Sequence, residues 1–108
     1  MDEKISYNDL EEYQHLFTLA PSFILKRMAR KKSNVVQKFK PTVQSHIDNL
    51  TQDQRKKLEI ILRSDVDELQ YLMNEAYIKT NKKQFKILAD PKNKEFIKLN
   101  LAELEKLL

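Results

Sequence analysis

The sequence predicts an all-α fold: an antiparallel helical bundle of about four main helices plus one or two short connecting helices. Three observations carry that prediction. Glycine is absent from all 108 residues, where an ordinary composition would supply roughly seven or eight. Hairpin turns, bulges and phosphate-cradling loops depend on residues that tolerate positive φ, for which glycine is the default. Sheets and Gly-rich nucleotide motifs are therefore both disfavoured. Three prolines, Pro21, Pro41 and Pro91, cut the chain where helices would start or stop. Between the cuts, apolar residues recur at helical spacing.

A first helix is expected over residues 8–20. Ser6 followed by Asp9 approximates a capping box, and Leu10, Tyr13, Leu16, Phe17 and Ala20 share one side. Pro21 suits the opening of a second helix over residues 22–39. At 100° per residue its apolar side chains, Ile24, Leu25, Met28, Ala29, Val35, Val36 and Phe39, fall in an arc of about 140°. Arg27, Arg30, Lys31 and Lys38 lie opposite. Lys32 falls inside the apolar arc, which a kink over residues 32–34 or a snorkelling side chain would accommodate. Asn34 with Gln37 is suited to cap a fresh turn.

A short helix over residues 42–50 follows, with Val43, Ile47 and Leu50 on one face. Thr51 and Gln54 form a second capping box. It opens the strongest pattern in the chain: Leu58, Leu62, Val66, Leu69, Met73 and Ala76. Unbroken to residue 79, this helix would be roughly 42 Å long. Asp65 is its flaw, pointing into the apolar stripe as a partly buried carboxylate or marking a break at which Ser64 and Asp67 restart the helix. A short helical piece is expected over residues 81–89. Asp90 then caps a last helix opened by Pro91, with Phe96, Ile97, Leu101, Leu104 and Leu108 on its buried face. Short connections make sequential helices spatial neighbours. A single domain over residues 1–108 is the expectation for this length.

Composition narrows the chemistry. Hydrophobic content of 41% beside 33% charged supports a modest core, and the periodicity of the apolar residues argues against disorder. Cysteine is absent, so neither a disulfide framework nor a thiolate metal site is expected. No apolar run of 18 residues occurs, and the first residues are acidic rather than a basic leader, so no transmembrane segment and a cytoplasmic location are expected.

Catalytic and metal-ligating patterns are weak. His15 and His46 are isolated from each other and from any Cys or carboxylate at ligand spacing. Glu11 with Glu12, and Asp65 with Asp67 and Glu68, read as helix N-terminal charges that complement the dipole. No Ser sits in a Gly-flanked elbow. A helix-turn-helix starting at Val66 with Asn74 at the turn places Gln70 at the small-residue position and Thr80 and Lys83 at apolar ones, a poor fit. No catalytic residue, metal or cofactor is expected, and the chain reads as a non-enzyme.

Charge gives the functional signal. Between Glu12 and Asp48 there is no acidic residue, but there are Lys26, Arg27, Arg30, Lys31, Lys32, Lys38 and Lys40. The formal +4 of the protein originates in this window. A one-signed field attracts polyanions, acidic proteins or anionic membrane. Lys26, Arg27, Arg30, Lys31 and Lys38 are the candidate contacts, and Phe23 is a candidate aromatic for base stacking. The bland alternative is a solvated face that offsets the acidic first helix. A second feature is apolar: Ile60, Tyr71 and Ile78 align opposite the main stripe of the long helix, and Leu99 is off-stripe on the last.

Two expectations follow. The leading one is a small helical protein of adaptor or regulatory type, acting through a protein partner or as a homo-oligomer. The alternative is a nucleic-acid-associated protein that uses the basic face of residues 26–40.

Overall fold

The computed structural model describes residues 5–108. Every regular element among them is helical, and the fold is the expected all-α bundle. It is more finely segmented than the sequence pattern predicts. Its helices are α1 (Tyr7–Glu12), α2 (Gln14–Phe17), α3 (Ser22–Arg30), α4 (Val35–Lys38), α5 (Lys40–Asp48), α6 (Gln52–Leu62), α7 (Val66–Thr80), α8 (Lys83–Ala89) and α9 (Lys94–Lys106). A 3-10 turn, Pro91–Asn93, precedes α9.

The first expected helix is broken at Tyr13, whose φ of −113° and ψ of 16° leave helical geometry. The break turns the Tyr13 ring fully into the core. Asp9 still accepts from the Ser6 backbone N–H at 3.0 Å and from its hydroxyl at 3.2 Å, so the expected capping residues define the start of α1.

The second expected helix also divides, at Lys32. The Lys32 N–H donates to the Ala29 carbonyl at 3.1 Å and the Ser33 N–H to the Met28 carbonyl at 2.9 Å. Lys32 itself has φ 53°. This is a Schellman termination, in which a left-handed residue lets the last carbonyls of a helix find donors. Lysine occupies the position that glycine usually fills, and the turn carries its side chain out to solvent instead of into the apolar arc. Asn34 then caps α4 by accepting from the Gln37 N–H at 3.0 Å.

Asn100 of α9 completes that restart. Its Oδ1 accepts from the N–H groups of Val35 at 2.8 Å and Val36 at 3.2 Å. Its Nδ2 donates to the carbonyls of Ser33 at 3.2 Å and Phe96 at 2.9 Å. One side chain thereby satisfies two of the orphan donors that open α4 and ties the 31–34 turn to the last helix.

The long fourth element is likewise two helices. Asp65 is exposed and caps α7, accepting from the Glu68 N–H at 3.3 Å. The expectation of a partly buried Asp65 is thus corrected: the break spares the carboxylate desolvation and uses it as a cap. α7 runs through Asn74 without a turn, and it ends at Asn81, left-handed at φ 60°, a residue that tolerates this region.

One apolar cluster spans the molecule from Leu10 to Leu104. Leu58, Leu69, Val43 and Ile47 have essentially no accessible surface, and burying each such side chain contributes about 1.5–3 kcal/mol. The packing is partly non-sequential: α3 lies against α8, α1 against α7, and α9 against both α4 and α6. α8 folds back along α7 and is held there by Gln70, buried within the bundle. Its Nε2 donates to the carbonyls of Leu88 at 3.1 Å and Asp90 at 2.8 Å. Asn93 Nδ2 donates to the Ile87 carbonyl at 2.8 Å. The Ile87 and Leu88 carbonyls near the end of α8 therefore find donors, and the turn over Pro91–Asn93 is fixed against α8 and α9. No helix is long and apolar enough to cross a membrane among the described residues.

Candidate functional site

Packing of α8 against α3 creates an open groove of about 820 Å³. The wall from α3 carries Phe23, Lys26 and Arg30, and Lys32 follows at the left-handed turn. The opposite side carries Lys83 and Lys86 from α8 and Lys92 from the 3-10 turn, with Tyr77 of α7 between. Among the described residues, six cations thus face one carboxylate, Asp90. That carboxylate is already engaged, accepting from the Lys92 backbone N–H at 3.0 Å as the cap of the turn.

The local sequence explains the arrangement. On a 3.6-residue helix, positions 23, 26 and 30 fall within one arc, which faces the groove while Leu25, Met28 and Ala29 pack inward. Arg27 and Lys31 lie one step further round α3, exposed but outside the groove lining, and Lys38 is exposed on α4. Of the five predicted contacts, the groove gathers Lys26 and Arg30. Lys32, which helical phase assigns to the apolar arc, joins them. Lys83, Lys86 and Lys92 lie far along the chain from the basic window, and only the packing of α3 on α8 recruits them.

The cations of residues 26–40 make no ion pair within 4.0 Å among the described residues. The acidic first helix is served from elsewhere: Lys57 of α6 lies 3.7 Å from Asp9 and 3.8 Å from Glu12. The reading of the basic window as a counterweight to that helix therefore has no support in the pairing. A concave surface lined by one sign of charge concentrates its field and draws in anions.

Two aromatic side chains border these charges. Phe23 is 69% exposed, a large apolar surface left in water at the groove wall. Tyr77 is half-buried, with the Lys86 ammonium 5.9 Å from its ring centroid, at the outer limit of a cation–π contact.

The predicted apolar interface is redistributed. Because the long helix breaks, Ile60 sits half-buried on α6 and does not share a face with Tyr71 and Ile78. Those two, seven residues apart on α7, are 69% and 71% exposed. Leu99 on α9 is 38% exposed.

Folding also pairs the histidines. The rings of His15 and His46 approach edge-on with centroids 4.4 Å apart. Burial, and secondarily the neighbouring His46, lowers the pKa of His15. No group of three or more His, Cys, Asp or Glu side chains is placed to hold a metal ion among the described residues.

No protein family, curated protein or solved structure matches this chain.

Proposed function

We propose that this protein works by binding rather than by catalysis, and that its ligand is a nucleic acid held by phosphate contacts in the groove between α3 and α8. The observation that carries this reading is the convergence of Lys26, Arg30, Lys32, Lys83, Lys86 and Lys92 on one concavity where Asp90, the one carboxylate among the described lining residues, is engaged as a cap. Neutralising phosphates releases condensed counterions, so affinity falls steeply with salt. Labelled oligonucleotide anisotropy between 50 and 200 mM salt tests it; with most of the six cations engaged, affinity should fall at least roughly a hundredfold. A flat salt response, or no binding at the lower salt, would reject the reading.

A second reading is association with a protein partner or a second copy of the chain, in an adaptor or regulatory role. It is supported by the exposed pair Tyr71 and Ile78 on one face of α7. Sedimentation of the free protein, with and without Tyr71→Ala, tests the homo-oligomeric form. A monomer in both cases argues against self-association through that face.

A further inference from the structure

Resting on the nucleic-acid reading of the groove, we infer that its ligand is single-stranded, bound without sequence preference, with an unpaired base stacked on Phe23. Three observations point that way. The first is shape. A duplex is read by a helix or ribbon that projects into its major groove, about 12 Å wide. Here α3 is seated against α8, and its inner cations line a hollow rather than a ridge. A hollow receives a flexible strand more readily than a cylinder whose phosphates lie on a convex surface.

The second is Phe23. It is the most exposed of the aromatic side chains that line the groove, and it shares a helix face with Lys26 and Arg30. A phenyl ring offers no hydrogen bond, so what it can give a ligand is its face and its apolar area. An unpaired base supplies the matching π-surface, while the flanking cations engage the phosphates on either side. In a duplex the bases are already stacked on one another, so covering Phe23 would require unstacking a base step.

The third is the type of cation. Five of the six are lysines and one, Arg30, is arginine. Arginine presents a rigid planar fork suited to bidentate recognition, whereas lysine is a point charge on a flexible stem, which follows a phosphate backbone without fixing one geometry. A lysine-lined groove with Phe23 as its exposed aromatic surface holds a backbone and tolerates any base.

Fluorescein-labelled strands of about 12 nucleotides, within the 4–16 span typical of single-strand sites, provide the test. Deoxythymidine, deoxyadenosine and uridine homopolymers are compared with a mixed-sequence duplex of equal length at one salt concentration. Single strands are expected to bind at least about tenfold tighter than duplex, with the three homopolymers close together. Phe23→Ala should weaken single-strand binding about tenfold, from the usual worth of one stacked base, and leave duplex binding unchanged. Phe23→Tyr should retain it. Phe23 is exposed, so circular dichroism should show both variants folded.

Equal affinity for strand and duplex with no effect of Phe23→Ala overturns this inference while leaving the phosphate-binding groove standing. Failure of every probe to bind removes both. A strong preference for one homopolymer, lost with Arg30→Lys, replaces sequence-tolerant binding with base readout and also overturns it.

Discussion

Tyr13 donates its phenol hydroxyl to the backbone carbonyl of Gln54 at 2.7 Å, and the same Gln54 is the third residue of the α6 capping box. Its side chain accepts from the Thr51 N–H at 2.8 Å and donates to Glu12 at 3.2 Å. The break between α1 and α2 and the start of α6 are thus one structure. Turning Tyr13 inward ends α1, and the hydroxyl it brings across locks the first turn of α6.

Tyr13→Phe keeps the buried ring and removes one hydrogen bond, so it should destabilise the fold by about 1 kcal/mol. Tyr13→Ala also leaves a cavity and should cost about 3–5 kcal/mol. Denaturant titration distinguishes the two. Burial, with Glu12 and Asp9 nearby, pushes the Tyr13 phenol up from 10.0 to about 12. A folded pKa above the unfolded one means stability is intact below pH 10.0 and is lost as pH rises toward about 12. Tyr13→Phe should reduce that alkaline loss.

Lys32 yields a prediction in which stability and binding move oppositely. A non-glycine residue in left-handed geometry costs roughly 1–2 kcal/mol. Lys32→Gly should therefore stabilise the domain by about 1 kcal/mol, the gain reduced by the greater freedom of glycine in the unfolded chain. It also removes one groove cation, so the salt slope of nucleic-acid binding should shrink by about one phosphate contact. Thermal melts and salt titrations on the same preparation check both. A destabilised Lys32→Gly would contradict the left-handed termination of α3.

The sequence stripes identify much of the core because burial follows helical phase within a single helix. Leu10, Leu16, Leu25, Val43, Leu58, Leu69, Phe96 and Leu101 are all buried as expected. Phase is lost at every break: a charged residue inside an apolar arc signals the breaks at residues 32–34 and 65, and both are present, whereas nothing signals the break at Tyr13. Extending one helix through residue 32 turns Lys32 inward, and extending another through residue 65 lines up Ile60 with Tyr71. Ile61 and Leu72 are buried as well; at 100° per residue both flank the stripe from Leu58 to Ala76, so the buried face is broader than that stripe. The groove is half legible: the acid-free window announces Lys26 and Arg30. Lys83, Lys86 and Lys92 sit in a charge-mixed region, and nothing local says that α8 returns to α3. Asn100 and the His15–His46 pair share this difficulty, since each joins residues far apart in the chain.

Burial of His15 makes stability depend on mildly acidic pH. The folded pKa of His15 lies below its ordinary value of 6.5, first through burial and then through His46. The unfolded chain therefore binds the proton more readily, and stability rises with pH in this range. It is intact above about 6.5 and falls as pH drops from there toward the lowered folded value. His15→Gln stays neutral throughout and should flatten melting temperature against pH between roughly 5 and 7. An unchanged profile would mean that folding does not lower the His15 pKa.

The last prediction separates a groove from mere net charge. Lys26→Gln, Arg30→Gln and Lys86→Gln together remove three cations that line the hollow, while Arg27→Gln, Lys31→Gln and Lys38→Gln remove three exposed cations outside it. Both triples change the protein's charge equally and introduce a good helix former at each site. Exposed charges contribute little to folding, so melts of the two should agree within about 0.5 kcal/mol. Long-range attraction depends chiefly on total charge and should slow association similarly in both. Contacts made in the complex depend on position. The groove triple should raise Kd by at least about a hundredfold at physiological salt and lower the salt slope by two to three phosphate contacts. The outer triple should raise Kd by about tenfold or less, the change lying in the association rate. Equal losses from both triples would reduce the groove to a diffuse basic surface, and a larger loss from the outer triple would move the binding face to the far side of α3.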